Sequence, residues 1–95
     1  MSRLIEKLLD NQTATGGWVK IGPGPHVLDC VGTFNGATVK MQRKASDGAT
    51  ALDVGSDATF TAPGHTLVTI CEGEYRMFVS GGPPSGLYSW ARPAF

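Results

Sequence analysis

A chain of 95 residues is long enough for one domain with a single modest core. Its eight basic and eight acidic residues cancel to a formal net charge of +0, so the chain lacks the charge excess that binds nucleic acid or an anionic membrane. Charged residues make up only 17% of the chain, which leaves little electrostatic repulsion between copies, and we expect a homo-oligomer.

The first twelve residues, MSRLIEKLLDNQ, predict a short helical arm over residues 2–10, with Ser2 as its N-cap. So short a helix is marginal in water, and its apolar stripe therefore needs a surface to cover. That surface is either the protein's own sheet or a neighbouring subunit, and we assign the arm to residues 1–11. The stripe, our first candidate for partner binding, consists of Leu4, Ile5, Leu8 and Leu9.

The same twelve residues carry charges among their apolar side chains, which does not fit a secretory signal. No apolar run elsewhere approaches the roughly 18 residues of a membrane span. We therefore expect a protein that is made in the cytoplasm and has no membrane partner.

Residues 12–95 predict a β domain of about eight short strands. After the polar linker NQTATGG, the strands WVKI and HVLDCVGTF are separated by GPGP, and Asn35-Gly36 then predicts a hairpin to ATVKMQRKA. The segments TALDV, ATFTA, TLVTICEG, EYRMFVS and LYSWARP follow at the spacing of an antiparallel sandwich or barrel. The predicted fold class is all-β, and the helical arm precedes the β domain in the sequence.

Cys30 and Cys71 are the only cysteines, and they lack the spacing of a zinc or redox motif. Both lie in predicted strands beside apolar residues. We interpret them as buried free thiols, with an inter-sheet disulfide as the alternative.

Catalytic and metal-binding motifs are missing from the sequence. His26 and His65 each stand alone at a turn, and the acidic segment SDGATALDVGSD lacks the order of a calcium loop. The two Gly-rich segments, GPGPH and GGPPSG, lack a phosphate-binding pattern, and no nucleophile lies beside a base in the sequence. We therefore predict a protein that is not an enzyme, with no catalytic residues, no metal and no cofactor.

Aromatic residues of the last strand give the second candidate for partner binding. Tyr88 and Trp90 are two residues apart, so they share one face of that strand. Most other aromatic residues fall at positions typical of core packing. A carbohydrate-binding module is the competing interpretation of this pair.

The amino-acid sequence of the strands and turns resembles that of a known family. GTFNGATVKMQRKASDGATALDVGSDATFTA, followed by GEYRMFVSGGPPSGLYSWARP, resembles small β-sandwich structural proteins of tailed-bacteriophage virions. The resemblance covers about residues 26 to 92 and consists of turns and alternation without a diagnostic functional motif.

The resemblance implies a non-enzymatic component of a virion, assembled in the cytoplasm of the host bacterium. Such a protein would be a capsid decoration (cement) protein that binds the major capsid protein, or a head–tail or tail accessory subunit that binds other virion subunits. Capsid and tail locations stay open at this point, as does the number of subunits in the oligomer.

Overall fold

Two antiparallel β-sheets form the protein in the computed structural model, which describes residues 5–94. All-β is the predicted fold class, and it is confirmed. A single 3₁₀ turn, Ser56–Ala58, is the one helical element of the described residues. The strands are β1 Glu6–Gln12, β2 Val19–Ile21, β3 Gly24–Thr33, β4 Thr38–Lys44, β5 Ala51–Asp53, β6 Thr59–Phe60, β7 Gly64–Ile70, β8 Gly73–Ser80 and β9 Ser85–Pro93.

The four-stranded sheet has the order β1-β9-β3-β7, and the five-stranded sheet has the order β2-β8-β4-β5, with the short β6 also paired to β4. Every pairing is antiparallel. β1 and β7 are therefore the edges of the first sheet, and β2 and β5 are edges of the second.

One hydrophobic core fills the space between the sheets, because alternate residues of each strand point inward. Period-two alternation holds in β3 and β4, where Leu28, Cys30, Val39 and Met41 are all fully buried. β8 adds Tyr75 and Met77, and β9 adds Leu87 and Ala91. The remaining members of the core are Leu8, Leu9, Ile21, Phe34, Ala58, Phe60, Val68 and Ile70.

The predicted N-terminal helix is wrong for the described part of the arm, because Glu6–Gln12 forms a strand that pairs with β9. The register of β1 against β9 shifts twice, once between Lys7 and Leu9 and once between Asp10 and Gln12. A bulge places two residues opposite one on the neighbouring strand, so consecutive residues can face the same side. Adjacent apolar residues that match a helical stripe therefore also fit a bulged strand.

β1 belongs to the same core as the other strands. Leu8 and Leu9 are both fully buried against it, and the predicted boundary between residues 11 and 12 falls inside the strand. The predicted linker is also attached to the body, since the backbone N–H of Val79 donates to Oγ1 of Thr15 at 2.9 Å. The first strand is thus a structural part of the four-stranded sheet.

Asn35-Gly36 forms the predicted turn but joins the two sheets. Both residues have positive φ, 52° and 86°, as a type I′ turn requires, and the N–H of Ala37 donates to the carbonyl of Phe34 at 2.9 Å. The flanking strands do not pair with each other, because β3 lies in one sheet and β4 in the other. The turn is a corner of the sandwich, and the predicted hairpin pairing is wrong.

Candidate interaction surface

The two histidines lie in different environments. His26 is buried and its Nδ1 lies 2.9 Å from the carbonyl oxygen of Gly24, whereas His65 is exposed on β7. Across residues 5–94, no cluster of three or more His, Cys, Asp or Glu side chains is placed to hold a metal ion.

The acidic segment after β4 makes turn contacts. Asp47 Oδ1 accepts hydrogen bonds from the backbone N–H groups of Ala49 and Thr50, and its Oδ2 accepts one from the Thr50 hydroxyl. These hydrogen bonds, led by that of the Thr50 hydroxyl, lower the pKa of Asp47 to about 2. This carboxylate organises its own loop.

The two cysteines are free thiols in different environments. Cys30 is buried in the core, and its burial, with a smaller contribution from the charge of Asp29, raises the pKa of the thiol to about 12. Cys71 is exposed at the turn between β7 and β8, so the prediction of burial is confirmed for Cys30 and wrong for Cys71.

Cys71 lines a shallow cleft between β5 and the β7–β8 turn. Arg43 enters this cleft and donates from Nη2 to the carbonyl of Glu72 at 3.1 Å, while the Tyr75 hydroxyl donates to the carbonyl of Cys71 at 2.6 Å. Burial raises the pKa of Tyr75, and the hydrogen bond and charge of Arg43 oppose that shift. The polar groups here hold the turn in place.

The outer face of the five-stranded sheet combines cations with aromatic rings, and we call it the charged face. The guanidinium of Arg76 lies 4.6 Å from the ring centroid of Trp18 and 5.7 Å from that of Phe78. The ammonium groups of Lys44 and Lys40 lie over the same two rings, at 5.1 Å and 5.7 Å. Each ring on this face thus has two cations from its own chain.

Hydrogen bonds and ion pairs complete the charged face. Gln42 Nε2 donates to Oδ1 of Asp53 at 3.0 Å, and Gln42 Oε1 accepts from Nε of Arg76 at 3.0 Å. Lys40 Nζ donates to Oδ2 of Asp53 at 3.0 Å. The hydrogen bond from Gln42, followed by that from Lys40, lowers the pKa of Asp53. The polar groups of this face therefore satisfy one another.

The outer face of the four-stranded sheet carries apolar side chains, and we call this group the apolar patch. Val31 stands opposite Tyr88 across β3 and β9, and Val27 stands opposite Leu67 across β3 and β7. The exposed fractions are 59% for Leu67, 44% for Val31 and 39% for Tyr88. The patch consists of Val27, Val31, Leu67, Tyr88 and Trp90, the first and last being half-buried.

Polar groups interrupt the patch, since Asp29 lies between Val27 and Val31 along β3 and Arg92 stands opposite Val27 on β9. Asp29 Oδ1 accepts the backbone N–H of Trp90 at 3.0 Å, which fixes this part of β9 against β3. The Lys7 ammonium and the Arg92 guanidinium lie 5.6 Å and 5.9 Å from the centroid of the Trp90 ring. The patch therefore has two cations beside one of its aromatic rings.

The structure separates the six residues predicted to bind a partner. Tyr88 and Trp90 lie together on the outer face of one sheet, beside a shallow depression that they line with Val31. Leu8 and Leu9 are in the protein's own core and are not available to a partner in this fold. Ile5 is 47% exposed, and Leu4 lies outside the described residues.

Three contributors to the patch, Val27, Val31 and Leu67, were missed from the sequence. Val31 alternates with the core residue Cys30, but alternation alone does not say which face of a strand meets the core. Leu67 lies in the apolar run TLVTIC, where a buried strand and an edge strand have the same pattern. The one sequence feature that could have indicated an exposed apolar edge is that this run contains no charged residue.

The chain matches no protein-family model, no curated protein and no solved structure. In residues 5–94, none of the helical structure has the length and apolar character that a membrane-crossing helix needs.

Proposed function

We propose that this protein is a non-enzymatic structural subunit that attaches to a neighbouring protein through its apolar patch. The observation that carries the proposal is the concentration of exposed apolar side chains on one outer face, with Leu67, Val31 and Tyr88 each more than a third exposed. Exposed apolar side chains grouped on one face, with polar groups among them, are typical of protein interaction sites.

The partner that best fits the patch is an apolar surface with acidic groups at its border. Lys7 and Arg92 stand beside Trp90, so a carboxylate of the partner would meet positive charge there. The exposed ring of Tyr88 supplies large contact area at low entropic cost, which makes it the expected centre of the binding energy.

The resemblance of about residues 26 to 92 supports a virion as the assembly in which this contact is made. We propose a capsid decoration (cement) protein that binds the major capsid protein, assembled in the cytoplasm of the host bacterium and retained in the virion. A head–tail or tail accessory subunit would use the same patch on another virion subunit. A net charge of zero suits a protein present in many adjacent copies.

The test is the copy number of the protein in virions of the phage whose genome encodes it, measured by quantitative mass spectrometry. Tyr88→Glu introduces a charge into the patch and should lower the copy number at least about tenfold. Leu52→Glu is the matched control, because Leu52 is 49% exposed on the other sheet. A wild-type protein absent from virions contradicts the virion proposal, and unchanged incorporation of Tyr88→Glu contradicts the assignment of the patch.

A carbohydrate-binding module is the second candidate, because Tyr88 and Trp90 share one face of β9 beside the polar groups of Asp29 and Arg92. Two cations already lie over the Trp90 ring, which leaves it less free to stack on a sugar. A glycan array distinguishes the two candidates, since this alternative requires binding that Tyr88→Ala abolishes.

A further inference from the structure

β7 is an open edge of the four-stranded sheet. It pairs with β3 on one side, and no described strand lies on its other side. The backbone N–H and C=O groups along such an edge form a template for a further strand, and proteins usually protect them.

The other sheet edges in residues 5–94 carry recognisable protection. β1 has three charged residues and two register shifts, both of which disfavour pairing with another chain. β2 and β5 are only three residues long, too short to offer a useful ladder. β7 has seven residues, GHTLVTI, with no Lys, Arg, Asp, Glu or Pro.

The side chains of β7 are suited to pairing with a copy of themselves. Leu67 points outward and is 59% exposed, while Val68 and Ile70 point into the core. If a two-fold axis passes through Leu67, all seven residues of the strand pair with those of a second copy. Inward-facing residues then lie opposite inward-facing residues, and no like charges meet.

We propose that the β7 edge is a homodimer interface, in which two copies pair antiparallel about a two-fold axis at Leu67. The occupant of the edge is thus a second copy of this chain. The two four-stranded sheets become one continuous sheet, as an isologous two-fold contact allows.

This arrangement places the two Leu67 side chains in direct contact across the axis, at a separation of about 5 Å between Cβ atoms. Val27 is the cross-strand neighbour of Leu67, so the apolar patches of the two copies become one surface. A shallow groove separates residues 54–58 from Leu67, Val68 and Thr69 of β7.

The expected affinity is modest. Seven residues of strand span about 23 Å, so the paired edges alone form a small interface of the transient class. A dissociation constant of roughly micromolar order is therefore expected, with a dimer at high protein concentration and a monomer at low concentration. The interface does not depend on the proposed virion function.

The test is sedimentation velocity on the purified protein from about 1 to about 500 µM, a range that spans the expected dissociation constant. The wild type should move from the chain mass of 10.0 kDa towards twice that mass. Leu67→Lys and Leu67→Glu should each weaken the dimer at least about tenfold, because like charges would face each other across the axis. An equimolar mixture of these two variants should restore the dimer.

Val31→Lys is the control, since Val31 lies on the outer face away from the β7 edge. It should remain dimeric while losing incorporation into virions, which separates this inference from the proposed function. A wild type that stays monomeric overturns the inference. So does a dimer that persists in Leu67→Lys, or a mixture of the two charged variants that stays monomeric.

Discussion

The two outer faces of this sandwich are built on similar strands but differ in how their side chains are satisfied. On the charged face, Arg76 contacts two aromatic rings and a glutamine of its own chain, and Asp53 accepts two hydrogen bonds. On the apolar patch, Leu67, Val31 and Tyr88 remain exposed. A face whose groups satisfy one another has little to gain from a partner, whereas exposed apolar surface gains from being covered.

The magnitudes support this distinction. A cation–π contact at an exposed site contributes about 0.5–1 kcal/mol, and a partner that displaced the cations would lose that energy. Full burial of a large apolar side chain contributes about 1.5–3 kcal/mol. Several such side chains on the patch can therefore provide the driving force for association, even after the cost of ordering the interface.

The largest expected effect comes from β1, the edge strand next to the strand that carries Tyr88 and Trp90. A chain beginning at Thr13 should fail to fold, because it lacks Leu8 and Leu9 of the core. In the full chain, Leu9→Ala should lower the free energy of unfolding by about 2–5 kcal/mol. Chemical denaturation followed by circular dichroism measures both.

Ile5→Ala is the control for Leu9→Ala, because Ile5 precedes the same strand but is half exposed. It should change the free energy of unfolding by less than about 0.5 kcal/mol. A chain beginning at Thr13 with wild-type stability would mean that β1 is dispensable and that the patch rests on three strands.

An intermediate effect is expected from the centre of the charged face. Gln42→Leu removes the hydrogen bonds to Asp53 and Arg76 and should lower the free energy of unfolding by about 1–2 kcal/mol. Incorporation into the proposed virion should not change, because the patch lies on the opposite sheet. Thermal denaturation and the copy number per virion measure the two quantities.

Lys20→Gln on the neighbouring β2 is the control, since Lys20 is exposed at the sheet edge. Its free energy of unfolding should stay within about 0.5 kcal/mol of the wild type. Lost incorporation in a stably folded Gln42→Leu variant would assign the contact to the charged face instead.

The smallest expected effect is the pH dependence contributed by Asp53. Its pKa in the folded protein is lowered by Gln42 and Lys40, so its stabilising contribution is present above its ordinary value of 3.8. That contribution is lost as the pH falls below 3.8 through the lowered pKa. The melting temperature of Asp53→Asn should therefore decrease less between pH 7 and pH 3 than that of the wild type. An equal decrease in both proteins would show that Asp53 is not stabilised by its neighbours.

The fold class and most strands could be predicted from the sequence, because turn residues and period-two alternation are local properties. Leu28, Cys30, Val39 and Met41 show this alternation along β3 and β4, and all four are buried. The N-terminal strand was missed because Leu8 and Leu9 fit a helix as well as a bulged strand. Only pairing with β9, a contact distant in sequence, decides between them.

The surfaces were predicted only in part, for a related reason. The shared face of Tyr88 and Trp90 follows from their spacing, but its exposure depends on which face of β9 meets the core. The charged face brings Trp18, Gln42 and Arg76 together from three distant segments, so no local pattern reveals it. The order of the strands in the sheets decides both the exposure of Tyr88 and Trp90 and the composition of the charged face.

A cryo-electron microscopy reconstruction of the proposed virion, at a resolution that shows side chains, tests the assignment of the two faces most directly. A neighbouring subunit should cover Val31 and Tyr88, while Trp18 and Phe78 should face solvent with their cations still stacked over them. A neighbouring subunit that covers Trp18 and Phe78, with Tyr88 left in solvent, would contradict it.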